Sequence, residues 1–123
     1  MATGELISIV DDDPSMREML VSLIRSLGYR ARAFASGEEF LASDDLEAFT
    51  CVVTDIHMPG MNGFELKQSL DDKRDSPLPV IMITALTEPD IEERAISSGA
   101  LGFLRKPLDV EVLASFIKQA LVD

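Results

Sequence analysis

The sequence predicts an α/β domain over residues 1–123: one five-stranded parallel sheet, doubly wound, with five helices covering both of its faces. Short apolar runs and segments of helical period alternate five times along the chain. Four of the five runs are apolar without strict alternation, as in strands buried on both faces. A strand followed each time by a helix requires right-handed crossovers, which wind the helices to both sides of the sheet.

Residues 6–10 form the first run. Beyond it Asp13 can cap a helix with Pro14 at its first position. Met16, Leu20, Leu23 and Leu27 then recur on one face, Arg17, Glu18, Ser22 and Arg25 occupy the other, and Gly28 supplies the stop. Residues 30–34 alternate, as on a half-exposed edge strand, and Ser36 with Glu39 reads as a capping box for the next helix. Residues 51–54, 80–83 and 101–104 are the remaining strands. Helical patterns follow over 64–70, 88–98 and 110–121, the second opening at Thr87, Pro89 and Asp90. Residues 43–47 and 71–79 are polar loops, and no repeat or linker interrupts the chain.

A length of 123 residues, 46% of them hydrophobic, suits one domain with a buried core. The formal charge of -11, from 22 acidic and 11 basic side chains, argues against direct contact with nucleic acid, which needs clustered Lys and Arg. Cys51 has no cysteine to pair with and lies in an apolar run, as a reduced, buried residue would. No apolar stretch approaches the roughly 20 residues that span a bilayer, and residues 1–5 lack the basic start of a secretory signal. A cytoplasmic protein without membrane contact is the expectation.

In open parallel sheets, sites form beyond the carboxyl ends of the strands. There the first strand delivers Asp11, Asp12 and Asp13, the third Asp55, the fourth Thr84 and the fifth Lys106. Two carboxylates about 4 Å apart repel by roughly 4 kcal/mol at an effective dielectric of about 20, so such a cluster takes up protons or a cation. A hard divalent ion suits oxygen ligands, and magnesium typically leaves positions for a phosphoryl group. An aspartate can itself be the nucleophile when a metal and a nearby cation neutralise charge on the transferred phosphoryl oxygens. Lys106 is the candidate cation and Thr84 the hydroxyl donor. Singly, Asp13 is explained as a helix cap, Thr84 as a strand-end hydroxyl and Lys106 as a surface charge; together the set is what phosphoryl transfer to a carboxylate needs.

Ile9-Val10-Asp11-Asp12-Asp13, the run Thr54-Asp55-Ile56-His57-Met58-Pro59-Gly60-Met61-Asn62-Gly63, Ile83-Thr84-Ala85, and Gly102-Phe103-Leu104-Arg105-Lys106-Pro107 resemble, in order and spacing, the receiver domains of two-component response regulators. The resemblance covers essentially the whole chain. It implies a flavodoxin-like fold with strand order 2-1-3-4-5. It also implies that Asp55 is the phosphoacceptor, that Asp12 and Asp55 bind Mg2+ directly (Mn2+ being the alternative ion), that Asp11 does so through water, and that the backbone carbonyl of His57 completes the ligands. Thr84 would bond the phosphoryl group, Lys106 pair with it, Phe103 rotate inward behind Thr84, and the Lys106-Pro107 peptide be cis. His57 and Leu86, two places beyond Asp55 and Thr84, fall where the family tunes hydrolysis of the acyl phosphate. An apolar Leu86 implies slow self-dephosphorylation.

A histidine kinase or phosphotransfer protein is the implied donor, recognised on the first helix near Met16, Met19 and Leu20. The implied readout to an output domain or effector, and a phosphorylation-dependent homodimer, use the face of residues 88–98, 101–105 and 110–121. Such a protein is a switch, not a turnover enzyme. Residues 100–103 and the last helix look closer to the nitrogen-fixation regulator group than to regulators with winged-helix output. That grouping implies control of transcription, with either a DNA-binding domain following or a complete single-domain regulator. Two rivals stand beside this reading. Asp11-Asp12-Asp13 after an apolar strand also spells the motif of haloacid-dehalogenase-type phosphatases, with Asp11 the nucleophile and Asp13 the acid. The other is a receiver-like interaction module without phosphotransfer, which would normally have lost one of the key side chains; all are present here.

Overall fold

In order along the chain come β1 (Leu6–Val10), α1 (Pro14–Ser26), β2 (Arg30–Phe34), α2 (Gly37–Leu41), a 3-10 turn (Leu46–Ala48) and β3 (Phe49–Asp55). Then follow α3 (Gly63–Lys73), β4 (Val80–Thr84), α4 (Ile91–Ser97), β5 (Gly102–Arg105) and α5 (Val110–Val122). This is a computed structural model, and it describes residues 5–85 and 87–122. The strands form one parallel sheet in the order β2-β1-β3-β4-β5, as expected.

Alternation along each strand sends successive side chains to opposite faces, so the sheet divides two apolar layers. Val10, Val52, Val80 and Met82 pack with Phe40 of α2, Leu66 and Leu70 of α3, and Ile91 and Ala95 of α4. Ile7, Ile9, Cys51, Val53, Ile81 and Ile83 pack with Leu20 and Ile24 of α1 and with Leu113 and Ile117 of α5. Cys51 is wholly buried in this second layer, and burial pushes its thiol up to about 12. At β5 the approach of α5 is so close that a Cβ on Gly102 would lie 2.6 Å from the Phe116 ring.

Asp13 caps α1 by accepting the Ser15 N–H at 3.0 Å, with Pro14 in the first turn, and Gly28 beyond the helix has φ +97°. The Ser36 hydroxyl accepts the Glu39 N–H at 3.1 Å, but the Glu39 carboxylate reaches one residue further back, to the Ala35 N–H at 3.0 Å. The reciprocal capping box is instead at α3, where Asn62 and Glu65 each accept the other's N–H at 2.9 Å.

Several details differ from the sequence reading: residues 71–73 extend α3 rather than opening the loop, and β5 is shifted by one residue to Gly102–Arg105. The fourth helix begins at Ile91, with Asp90 as a cap residue that makes no side-chain bond, so Thr87 is not its cap. β3 begins two residues early because Phe49 is buried in the aromatic cluster with Phe34 and Phe40, at centroid distances of 5.9 and 5.1 Å. Part of the 43–47 loop closes into the 3-10 turn. Leu20 is buried in the core and cannot meet a partner from α1, whereas Met19 is exposed. Leu86 lies outside the described residues. Among the described residues no helix is long and apolar enough to cross a membrane.

Candidate functional site

Parallel register places the exits of β1 and β3 side by side: Ile9 pairs with Val53 and Val10 with Thr54, so Asp11 and Asp55 emerge next to each other. One oxygen from each of Asp11, Asp12 and Asp55 lies within 4.8 Å of the others. Asp11 and Asp55 are buried and Asp12 is exposed. Lys106, leaving β5 with its N–H bonded to the Thr84 carbonyl at 2.9 Å, brings its Nζ within 3.4 Å of Asp55 Oδ2 and 3.7 Å of Asp11 Oδ2.

Burial pushes the Asp11 carboxyl above its ordinary value of 3.8. The Asp13 N–H, donated to Asp11 Oδ1 at 2.9 Å, pulls the other way, the Asp55 charge pushes up again, and Lys106 offsets it in part. Asp11 Oδ2 is buried and finds no hydrogen-bond partner among the described residues. An unsatisfied buried oxygen beside two further carboxylates fits a hard divalent cation, which takes oxygen ligands and cancels their repulsion.

Thr84 ends β4 fully buried. Two residues beyond Met82, it shares the sheet face of Phe103, which is in register with Met82 and half-buried against the α2–α4 layer. The Arg105 guanidinium stands 5.1 Å over the Phe103 ring and 3.3 Å from the Glu92 carboxylate of α4.

The His57 N–H donates to Asp55 Oδ1 at 3.3 Å, while its exposed imidazole stands 4.0 Å from the Glu88 carboxylate. The turn that follows is shaped, as its Pro and Gly residues predict, with Met58 buried and Gly60 at φ +76°. Gly63 is required by a close approach: a Cβ there would lie 2.9 Å from the Asp55 carbonyl oxygen. The Lys106-Pro107 peptide is cis, as the resemblance implied.

Every side chain the sequence singled out for the acidic cluster and its cation is therefore in one crevice, while Asp13 is exposed and engaged in capping. Sequence reasoning missed Arg17, whose Nη1 reaches back from α1 to the Asp11 carbonyl at 2.7 Å. Helical period placed it on the polar face, and a bond to a backbone oxygen six residues away leaves no pattern in sequence.

Residues 7–118 match the model of the response regulator receiver domain. The chain belongs to that family. This receiver domain is 33% identical over 121 residues to the transcriptional regulatory protein FixJ of Bradyrhizobium diazoefficiens, covering 98% of this chain and 58% of FixJ. It superposes on the solved FixJ-N structure with a TM-score of 0.85 at 31% identity, over 96% of this chain and 94% of that one. The chemotaxis protein CheY4 of Vibrio cholerae gives 0.79 at 30% identity, over 97% of this chain and 100% of that one. The fold is thus that of CheY-like proteins, and the receiver is of the nitrogen-fixation regulator type. The chain spans about half the length of the curated relatives it matches. Receiver membership removes the haloacid-dehalogenase reading, in which Asp13 would have been an acid rather than a cap.

Proposed function

We propose that residues 1–123 act as one phosphorylation-operated switch in a two-component system, with Asp55 as the acceptor. A carboxylate oxygen of Asp55 attacks the phosphorus of a phosphohistidine on a histidine kinase or phosphotransfer protein. The nitrogen–phosphorus bond breaks, the imidazole leaves and takes a proton from solvent, and an acyl phosphate remains on Asp55. The observation that carries this reading is the Lys106 ammonium 3.4 Å from Asp55 Oδ2, beside the Asp11–Asp12 pair.

Asp12 and Asp55 directly, Asp11 through water, and the His57 carbonyl would hold Mg2+, or Mn2+ in its place. When bound, the ion supplies the charge that neutralises phosphoryl oxygens during transfer. Lys106 pairs with the phosphoryl group and the Thr84 hydroxyl donates to it. Phosphorylation adds roughly one negative charge and new acceptor oxygens beside Thr84 and Lys106, which favours a loop arrangement with Phe103 turned inward.

The change is read on the face of α4, β5 and α5, where Ile96, Val110 and Val112 are exposed. An output domain or effector, or a second phosphorylated copy, would meet it there. Control of transcription follows from likeness to FixJ and to the DNA-binding regulator NtrC of Salmonella typhimurium. The protein is cytoplasmic and performs no turnover on a separate substrate. Its charge of -11 argues against direct contact of this chain with DNA.

Intact mass after incubation with Mg2+ and a small phosphodonor tests the assignment. A phosphoryl adduct is expected on wild type and not on Asp55→Asn. An adduct that survives Asp55→Asn and disappears only in Asp11→Asn would overturn it.

A further inference from the structure

We infer that Glu38, on α2, is a positioning residue for the phosphoryl-transfer site, because it fixes the β3–α3 turn that carries His57. The inference rests on the metal and acceptor roles proposed above. Glu38 Oε2 accepts the Met61 N–H at 3.2 Å, across 23 residues of sequence. The carboxylate sits against the edge of the turn: a Cβ on Gly60 would be 2.8 Å from the same oxygen. Next to it Gly37 is buried so close to Met61 that a Cβ there would lie 3.1 Å from the Met61 sulfur.

Glu38 is itself well placed to act as an anchor. The start of α2 is held by the Ser36 cap and by the Glu39 carboxylate on the Ala35 N–H. The turn is secured at its ends by the His57 N–H on Asp55 and by the Gly63 N–H on the Ile56 carbonyl at 2.9 Å. Its middle, where Pro59 and Gly60 are exposed, is where Glu38 attaches. Turning the His57–Met61 segment would move the His57 carbonyl relative to the Asp55 carboxylate, and a ligand set tolerates little displacement.

Glu38→Gln keeps an acceptor oxygen at the same reach and removes the charge, whereas Glu38→Ala removes both. Mg2+ titrations at about 0.15 M salt, which screens distant charges, are followed by amide NMR shifts, with thermal unfolding of each variant alongside. Wild type and Glu38→Gln should bind Mg2+ alike. Glu38→Ala should bind about fivefold more weakly, with displaced amide signals for residues 57–62 even before metal is added and a thermal midpoint within about 2 °C of wild type. Unchanged metal-free signals in Glu38→Ala would overturn the anchor. So would Glu38→Gln binding as weakly as Glu38→Ala, which would assign the effect to charge, or a global loss of stability in Glu38→Ala. If wild type bound no Mg2+ while the metal-free signals still moved, the metal reading would fail and the anchor would stand only as a structural tie.

Discussion

Asp11 is held in the folded chain under electrostatic tension that its sequence position already announced. Burial raises its pKa, so the folded chain keeps the proton more tightly than the unfolded chain does. Stability must then fall as pH rises out of the ordinary carboxylate range, and the penalty is fully present once Asp11 has ionised in the folded state. Metal-free Asp11→Asn is expected to be more stable than wild type at pH 7, with the difference fading as the pH falls through the ordinary carboxylate range. Denaturant midpoints at a series of pH values check this, and an equal offset at acid and neutral pH would contradict it. At this scale Asp11, Asp12, Asp55 and Lys106 were legible because all four lie at or just beyond the carboxyl ends of apolar strands. Arg17 and Glu38 were not, because each bonds a backbone group that only the folded chain brings near.

Among the elements, those with strong local signals appeared where expected: β1 and β4 as continuous apolar runs, α1 with its Asp13-Pro14 start. The helix after β4 was misplaced because Thr87, Pro89 and Asp90 offer competing starts, and Asp90, the residue at the cap, makes no side-chain cap bond. The Asn62/Glu65 box has the spacing of a capping box and was legible in principle, but Gly63 at the first helical position obscured it. Asn62→Ala should lower stability by about 1 kcal/mol in urea unfolding, through loss of one side of that box. Gly102→Ala should cost about 1–3 kcal/mol, since the Phe116 ring must give way for α5 to remain on β5. A Gly102→Ala protein as stable as wild type would mean that α5 is packed more loosely than described.

For the molecule as a whole, the alternation of elements implies a doubly wound parallel sheet, the resemblance to receiver domains implied its strand order, and the crevice follows from that order. Because β1 lies beside β3, Asp11 and Asp55 leave the sheet as neighbours. A cation in that crevice binds the folded chain and not the unfolded one, so it should stabilise by about 2.7 kcal/mol at a concentration a hundred times its Kd. Thermal unfolding with and without Mg2+ measures this gain. Asp12→Asn should lose most of it, and a gain that persists in Asp12→Asn would remove Asp12 from the proposed ligand set.

Cys51 gives the molecule a practical property. Its thiol is sealed between sheet and helices, with a pKa of about 12, so it presents almost no thiolate to reagents at neutral pH. Toward maleimides and spin labels the folded chain should behave as if it had no cysteine. A single cysteine introduced at exposed Ile96 could then be labelled alone, with no background substitution, to test whether the α4 face responds to the phosphorylation proposed for Asp55.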